Sequence, residues 1–389
     1  MKSNIYGASN LQFLNSEAPA DIADIYSSAQ RLIAGELKNR SRSFSEDDFA
    51  ELSHLYDDLK EVPYNDFIDL DFPRFTLTPH EYDWLKCHEE EIWVDYLMYR
   101  YKFKVYPVRQ KIGAFPVHLC IEPTSACNLR CVMCFQVDKS FSGDKKYMGV
   151  MPWELFTSVV DQAAENKCHA ITLASRGEPT LHKRFGDMLL YIHDKGILDI
   201  KINTNATRFT EKLCHDILTA EVATVTLSVD ACTKETYENI RVKGNFDEVH
   251  NNIKMFNDIR EKHYPNHRTS TRIAGVAVED TQSPEEMEEF WSEYVDHVTI
   301  RQEIPRWDSY GNAMFQKENI CKLLYERIYV WYDGTCNPCD FDYKSLLAFG
   351  DATKESLRDI WSGDKYQQLR DKHTNKQRSC VVPCDRCPF

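Results

Sequence analysis

The feature that most constrains the fold is the alternation of short apolar, β-branched segments with helix-forming segments between residues 117 and 300. We predict strands at residues 117–122, 170–174, 200–204, 224–229, 271–278 and 297–300. Such alternation is typical of βα units on a parallel sheet. Six units exceed one mononucleotide-binding fold and fall short of the eight of a complete TIM barrel. The sequence therefore predicts an α/β fold, a partial (β/α)6 TIM-like barrel that binds its ligands at the carboxyl ends of the strands.

The flanking segments have a different character. Residues 1–112 contain two glycines and several helix-start signals, such as Ser45 with Asp48 and Thr78 before Pro79. Residues 306–389 lose the alternation and hold six of the fourteen cysteines. We therefore predict three domains: a helical N-terminal extension at 1–112, the partial barrel at 113–305, and a small metal-binding domain at 306–389.

Composition excludes several classes of function. Lys and Arg number 47 against 61 Asp and Glu, a net charge of -14 that disfavours nucleic acid as a partner. No apolar run is long enough to span a membrane, and the N-terminus does not resemble a signal peptide. We expect a cytoplasmic protein with no membrane partner. Fourteen cysteines in a reducing compartment indicate metal binding or catalysis more than disulfides.

The first cysteine group follows the first strand. Cys127, Cys131 and Cys134 are spaced C-x3-C-x2-C, and Phe135 comes next. Four thiolates normally complete an iron-sulfur cluster, so three leave one iron open to a ligand. The triplet, in this place in a βα series, resembles the signature of radical S-adenosylmethionine (radical SAM) enzymes. The resemblance implies a 4Fe-4S cluster on these cysteines, S-adenosylmethionine (SAM) on the open iron, reductive cleavage to a 5'-deoxyadenosyl radical, and a reductant such as flavodoxin or ferredoxin.

Polar residues after the later strands extend the resemblance. Gly177-Glu178-Pro179 is similar to the Gly-Gly-Glu-Pro motif of that family, but Arg176 replaces the first glycine, which puts a direct role of that position in doubt. The resemblance implies SAM-binding residues at Phe135, Gly177, Glu178, Pro179, Asn205, Ser228, Asp230 and Arg241. Helix capping is the simpler alternative for each polar residue alone, Asp230 above all.

The C-terminal cysteines resemble a second cluster domain. Cys321 and Cys339 frame Gly334 in a C-x12-G-x4-C pattern similar to the start of the SPASM domain. The chain ends with Cys380-x3-Cys384-x2-Cys387, which resembles the shortened form called twitch. The resemblance implies one auxiliary 4Fe-4S cluster, for which we predict the ligands Cys321, Cys339, Cys384 and Cys387. Cys336 or Cys380 could replace one of them, and two C-x2-C pairs also allow a structural zinc site.

The predicted reaction depends on how the auxiliary cluster is used. Asp340 adjoins Cys339, and in similar sulfatase-maturating enzymes an aspartate so placed is the proposed general base. We expect an oxidoreductase that dehydrogenates a sugar-like or aminocyclitol small molecule, with the auxiliary cluster as electron acceptor. Epimerisation with Cys336 or Cys232 as hydrogen donor, modification of a peptide or protein, and a cluster protein without SAM remain alternatives. Candidate substrate contacts are Arg301, Glu303, Arg306 and Trp307, for which an exposed loop is the alternative.

Overall fold

The computed structural model describes residues 21–60, 74–278, 282–304, 308–311, 314 and 317–389. The chain forms two compact units, residues 1–111 and residues 112–389. The predicted boundary after residue 305 falls inside the second unit. Within the described residues, no helix combines the length and apolar character needed to cross a bilayer.

The described part of the first unit is helical. Its helices are α1 Ile22–Asn39, α2 Glu46–Asp58, α3 Pro79–Cys87 and α4 Trp93–Arg109. Ser45 with Asp48, and Thr78 with Glu81, form reciprocal capping boxes, so the helix-start signals in the sequence are real. The buried Glu81 carboxylate accepts a hydrogen bond from Arg100 Nε at 2.7 Å and also pairs with Lys104, which ties α3 to α4.

The second unit alternates strands and helices. Its strands are β1 His118–Ile121, β2 Ala170–Leu173, β3 Asp199–Thr204, β4 Thr224–Ser228, β5 Ser270–Ala277, β6 His297–Gln302, β7 Arg327–Val330, β8 Thr335–Asn337 and β9 Gly350–Asp351. Its helices are α5 Lys139–Ser142, α6 Trp153–Glu165, α7 Phe185–Asp194, α8 Glu211–Thr219, α9 Lys234–Ile240, α10 Phe246–His263, α11 Pro284–Trp291, α12 Leu323–Glu326, α13 Leu357–Ser362 and α14 Asp364–Thr374.

The strands form one sheet in the order β6-β5-β4-β3-β2-β1-β7-β8-β9. The first seven strands are parallel, whereas β8 and β9 are antiparallel to their neighbours. Because β1 to β6 are neighbours in chain order and crossovers are right-handed, their connecting helices lie on one face. The predicted α/β series of six parallel strands is confirmed. The C-terminal residues extend the same sheet through β7, which pairs with β1.

The two faces of the sheet differ in chemistry. The face under the helices is apolar, and Leu119, Ile171, Ile202, Val225 and Ile273 on it are fully buried. The side chains of the opposite face, which we call the inner face, include those of His118, Cys120, Thr172, Lys201, Asn203, Thr226, Arg272, Arg327 and Tyr329. The sheet therefore offers a polar surface on its helix-free side.

Candidate functional site: two cysteine groups beside the inner face

The first cysteine group lies on the loop that leaves the carboxyl end of β1. Cys131 is buried, and Cys127 and Cys134 are half-buried. Two backbone hydrogen bonds fix this loop to the end of α9: Arg130 N donates to Val242 O at 2.9 Å and Val132 N donates to Ile240 O at 3.1 Å. The loop is therefore anchored by the end of β1, from which it continues, and by the end of α9, to which it is hydrogen-bonded.

The three thiols are close enough for their charges to interact. Burial, together with the smaller effects of the charges of Glu178 and of the other two cysteines, raises the pKa of Cys127 to about 12. A thiolate in such surroundings needs a bound cation, which fits a metal-cluster site. Among the described residues, no three His, Cys, Asp or Glu side chains converge as around a single metal ion. A cluster that gives each thiolate its own iron does not require that convergence.

Gly177 occupies the tightest position beside the cysteine loop. A Cβ atom there would lie 2.2 Å from Thr124 O and 2.5 Å from Ala126 O. Glu178 N donates to the same Ala126 carbonyl at 2.9 Å. The loop after β2 thus lies directly against the loop after β1, and only glycine fits at this contact.

The predicted motif residues Glu178 and Asn205 bind other parts of the protein. The buried Glu178 carboxylate accepts hydrogen bonds from Thr204 Oγ1 at 2.6 Å and Asn205 N at 2.7 Å. Asn205 Nδ2 donates to Asn128 Oδ1 at 3.0 Å, within the cysteine loop. Pro179 opens a short 3-10 turn that ends at Leu181. These residues align the ends of β2 and β3 with the cysteine loop.

Asp230 and Arg241 form a buried ion pair beside Cys131. Arg241 Nε donates to Asp230 Oδ2 at 2.7 Å, and Val276 N donates to Asp230 Oδ1 at 2.8 Å. Burial disfavours the charged guanidinium, but the charges of Asp230 and Cys131 outweigh it and raise the pKa of Arg241. Ser228 is half-buried at the end of β4. Arg241 thus places a guanidinium, paired with Asp230, beside the cysteine loop.

Arg176 is a residue whose role the sequence left in doubt. Its guanidinium donates to both oxygens of the Glu122 carboxylate, from Nε at 2.7 Å and Nη2 at 2.6 Å, and from Nη1 to Tyr343 O at 3.0 Å. It also lies 4.2 Å from the Trp331 ring centre. Arg176 therefore connects the motif loop to residues beyond β7. An arginine in place of a motif glycine was the one signal of this role.

Phe135 belongs to a buried aromatic cluster. Its ring stacks on that of Tyr343 at 4.9 Å between centres, and Phe141 packs edge-on at 5.7 Å. Tyr343 Oη donates to Asp138 at 2.8 Å. The segment after the first cysteine group is thus packed against the C-terminal region.

The second cysteine group combines distant parts of the chain. Burial raises the pKa of Cys339 well above its ordinary value, and the charges of Cys384, Cys321 and Cys387 contribute. These are the four cysteines proposed as auxiliary-cluster ligands. Cys336 instead is buried in the main core and donates to Gly334 O at 3.6 Å, and Cys380 is exposed.

Arg378 organises the second group and was missed in the sequence. The buried guanidinium donates to Cys384 O and Cys387 O, each at 3.3 Å, and to Asn319 Oδ1 at 2.9 Å. It therefore holds the last two cysteines near the segment that contains Cys321.

Asp340 lies near the inner face, close to the place where β7 pairs with β1. Burial raises the pKa of Tyr329 well above its ordinary value, and the negative charge of Asp340 is the second largest cause. Cys339 packs against Cys120, Tyr329 and Trp331. Arg301 is exposed on β6, and Glu303 N donates to Ala277 O at 3.1 Å just beyond it. Arg306 and Trp307 lie outside the described residues.

Comparison with known families decides the class of protein. The radical SAM superfamily model matches residues 121–300, and the iron-sulfur cluster-binding domain SPASM matches residues 321–388. Together the two matches cover more than half of the chain. This is a radical SAM enzyme with a SPASM domain. SAM and iron-sulfur clusters are therefore its cofactors, as the cysteine patterns predicted, and the glycine contact and grouped thiols described above fit them.

Several known proteins are similar to this radical SAM enzyme. A tungsten-containing aldehyde ferredoxin oxidoreductase cofactor-modifying protein from Pyrococcus furiosus is 25% identical over 325 residues, 70% of this chain and 89% of that protein. A cysteine-type anaerobic sulfatase-maturating enzyme from Clostridium novyi is 31% identical over 154 residues, 36% of this chain and 40% of that one. Streptococcus suis SuiB, solved with its precursor peptide SuiA, has a TM-score of 0.54 at 17% identity and covers 82% of this chain and 78% of its own, which shows the fold alone.

Proposed function

We propose that this radical SAM enzyme dehydrogenates a polar small molecule, a sugar-like or aminocyclitol compound, at a site on the inner face. Cys127, Cys131 and Cys134 would hold the SAM-binding cluster, and Cys321, Cys339, Cys384 and Cys387 the auxiliary cluster. When bound, SAM and its cluster supply the means to remove one hydrogen atom from carbon, and the auxiliary cluster supplies an acceptor for one electron. A reductant of the flavodoxin or ferredoxin class would provide the electron for SAM.

One observation carries this proposal: Asp340 and Cys339 both lie beside the inner face. Oxidation of a CH–OH group to a carbonyl removes a hydrogen atom, a proton and an electron. A carboxylate adjacent in sequence to an auxiliary-cluster ligand can accept the proton at the place where the electron leaves. The polar inner face supports a hydroxylated substrate over an apolar one.

A peptide or protein substrate is the second candidate function. One similarity favours it: the Clostridium novyi relative is named a cysteine-type anaerobic sulfatase-maturating enzyme. We place it second because the inner face bears charged and hydroxyl side chains suited to a small polar ligand.

Reductive SAM cleavage tests the two parts of the proposal separately. Dithionite-reduced protein should form 5'-deoxyadenosine, and Cys127→Ala should abolish it because a cluster ligand is lost. Asp340→Asn should still cleave SAM but lose at least about 100-fold in product formation, the scale of a missing general base. Asp333→Asn, at an exposed turn, is the matched control and should behave as wild type.

Deuterium transfer identifies the substrate. Candidate sugars and aminocyclitols labelled at each carbon are incubated with the enzyme, and deuterium in 5'-deoxyadenosine is measured by mass spectrometry. Transfer from one labelled carbon supports the proposal. Transfer only from peptides would favour the second candidate, and 5'-deoxyadenosine formation by Cys127→Ala would contradict the assignment of the first cysteine group.

A further inference from the structure

Two half-buried cations of the inner face, Lys201 and Arg272, form no ion pair with a carboxylate among the described residues, unlike three other arginines of this unit. Arg176, Arg241 and Arg327 pair with Glu122, Asp230 and Glu326 at 2.6, 2.7 and 2.5 Å. Burial and the Arg301 charge lower the pKa of Arg272, and no carboxylate within the described part of the chain offsets them. Burial, then Arg272, lowers the pKa of Lys201 to about 8, and Asp199 is the one carboxylate that acts on it.

The sheet register places these two cations around one spot. Lys201 on β3 lies opposite Thr224 on β4, and Thr226 on β4 lies opposite Arg272 on β5. The two side chains therefore flank β4 on the same face of the sheet. Arg272 lies two residues nearer the carboxyl ends of the strands than Lys201 does. In a chain of net charge -14, two neighbouring half-buried cations mark a place built for negative charge.

A row of unsatisfied polar atoms lies at the same spot. Asn203 lies opposite Thr226, which lies opposite Arg272. Arg272 Nε and Thr226 Oγ1, which can both donate, and Asn203 Oδ1, which accepts, are buried without a hydrogen-bond partner. Buried polar groups in proteins are almost always hydrogen-bonded, so three such atoms in one row point to an absent ligand.

We propose that Lys201, Arg272 and Thr226 bind a phosphate group of the substrate, and that Asn203 Oδ1 accepts a hydrogen bond from a hydroxyl of the same molecule. A phosphate ester carries a charge of about -1.5 to -2 at neutral pH, which matches two cations better than a single carboxylate does. The guanidinium and ammonium donate to its oxygens, as does the Thr226 hydroxyl. The strands then place the rest of the molecule toward the two cysteine groups. The identification of the ligand as a substrate rests on the proposed function; the phosphate site does not.

Phosphate binding tests the site without radical chemistry. Inorganic phosphate is titrated by calorimetry into anaerobically prepared holoprotein with no reductant present. Wild type should show saturable binding, weakened by about tenfold or more in Lys201→Met and in Arg272→Met, since each removes a charge-assisted contact. Lys201→Arg should retain binding. Lys212→Met, an exposed lysine on α8, is the matched control and should bind as wild type.

A second measurement separates a binding role from a structural one. Because each cation is half-buried and has no ion-pair partner among the described residues, Lys201→Met and Arg272→Met should melt at or above the wild-type temperature in phosphate-free buffer. Lower melting of both variants would contradict the proposal, and so would unchanged phosphate binding. Acetate binding as tight as phosphate would also overturn it, in favour of a carboxylate ligand.

The outcomes also distinguish this proposal from the proposed function. A protein that binds phosphate through Lys201 and forms no 5'-deoxyadenosine when reduced would refute the proposed function and leave the site standing. A protein that cleaves SAM and binds no phosphate would refute the site alone.

Discussion

At the scale of single residues, Gly177 shows how one missing atom determines a contact. The cysteine loop and the loop after β2 approach so closely that a Cβ would lie 2.2 Å from a backbone carbonyl oxygen. The backbone cannot yield there without moving the neighbours of Cys127. The sequence predicted this residue because a glycine in that motif is expected where backbones approach.

We expect Gly177→Ala to destabilise the protein by about 1–3 kcal/mol, the usual cost of forcing an extra carbon into a packed site. It should also lower 5'-deoxyadenosine formation, because Ala126 adjoins Cys127. Gly35→Ala is the control: nothing lies within 4 Å of a Cβ there, and in helix α1 the change should stabilise by about 0.5–1 kcal/mol. Denaturant unfolding of both variants measures the difference, and equal stabilities would contradict the steric argument.

Other site residues could not be found from the sequence, for a physical reason. Arg176 pairs with Glu122, 54 positions away, and with the Tyr343 carbonyl, 167 positions away. Arg378 contacts Asn319, 59 positions away. Motif spacing reports residues that follow one another along a loop, whereas these arginines act through partners that only the folded sheet brings near. Their types gave no signal beyond the unexpected arginine in the motif.

At the scale of elements, the strands also differ in whether a local sequence pattern or pairing between distant residues defines them. The six strands β1 to β6 were predictable because each has its own apolar pattern and is followed by a helix. The strands β7 to β9 were not, since they are two to four residues long and join the sheet through non-local pairing such as His118 with Arg327. The pairing of β7 with β1 also explains why residues 306–389 share one compact unit with the barrel strands.

Arg176 connects these two sets of elements, and its removal tests the connection. Arg176→Met should cost about 3–5 kcal/mol, because it leaves the fully buried Glu122 carboxylate without its partner. Lys234→Met, which breaks an exposed 2.5 Å pair with Asp247, should cost less than about 1 kcal/mol. Equilibrium unfolding gives both values. If the two variants lost equal stability, the Arg176 pair would not be an energetic link between the elements.

At the scale of the whole molecule, the protein places both cysteine groups in one compact unit that also contains the polar inner face. The first group comes from one loop after β1, and the second combines residues before α12, after β8 and at the C-terminus. Cys339 of the second group packs against Cys120 of β1. A hydrogen atom, a proton and an electron removed from one inner-face ligand would therefore each have a receiving group in the same unit.

Iron content tests whether the second group is the auxiliary cluster. Two 4Fe-4S clusters predict about eight irons per anaerobically purified chain. Cys384→Ser should lose about four of them, because its thiol is one of the grouped ligands. Cys380→Ser, at an exposed cysteine four residues away, should lose none, and Cys336→Ala should lose none because that thiol packs in the core. Iron and zinc are counted in each variant. Wild-type protein with about four irons and bound zinc would identify the second group as a structural zinc site. Loss of iron in Cys380→Ser or Cys336→Ala would show that this cysteine, and not one of the four predicted ones, is a cluster ligand.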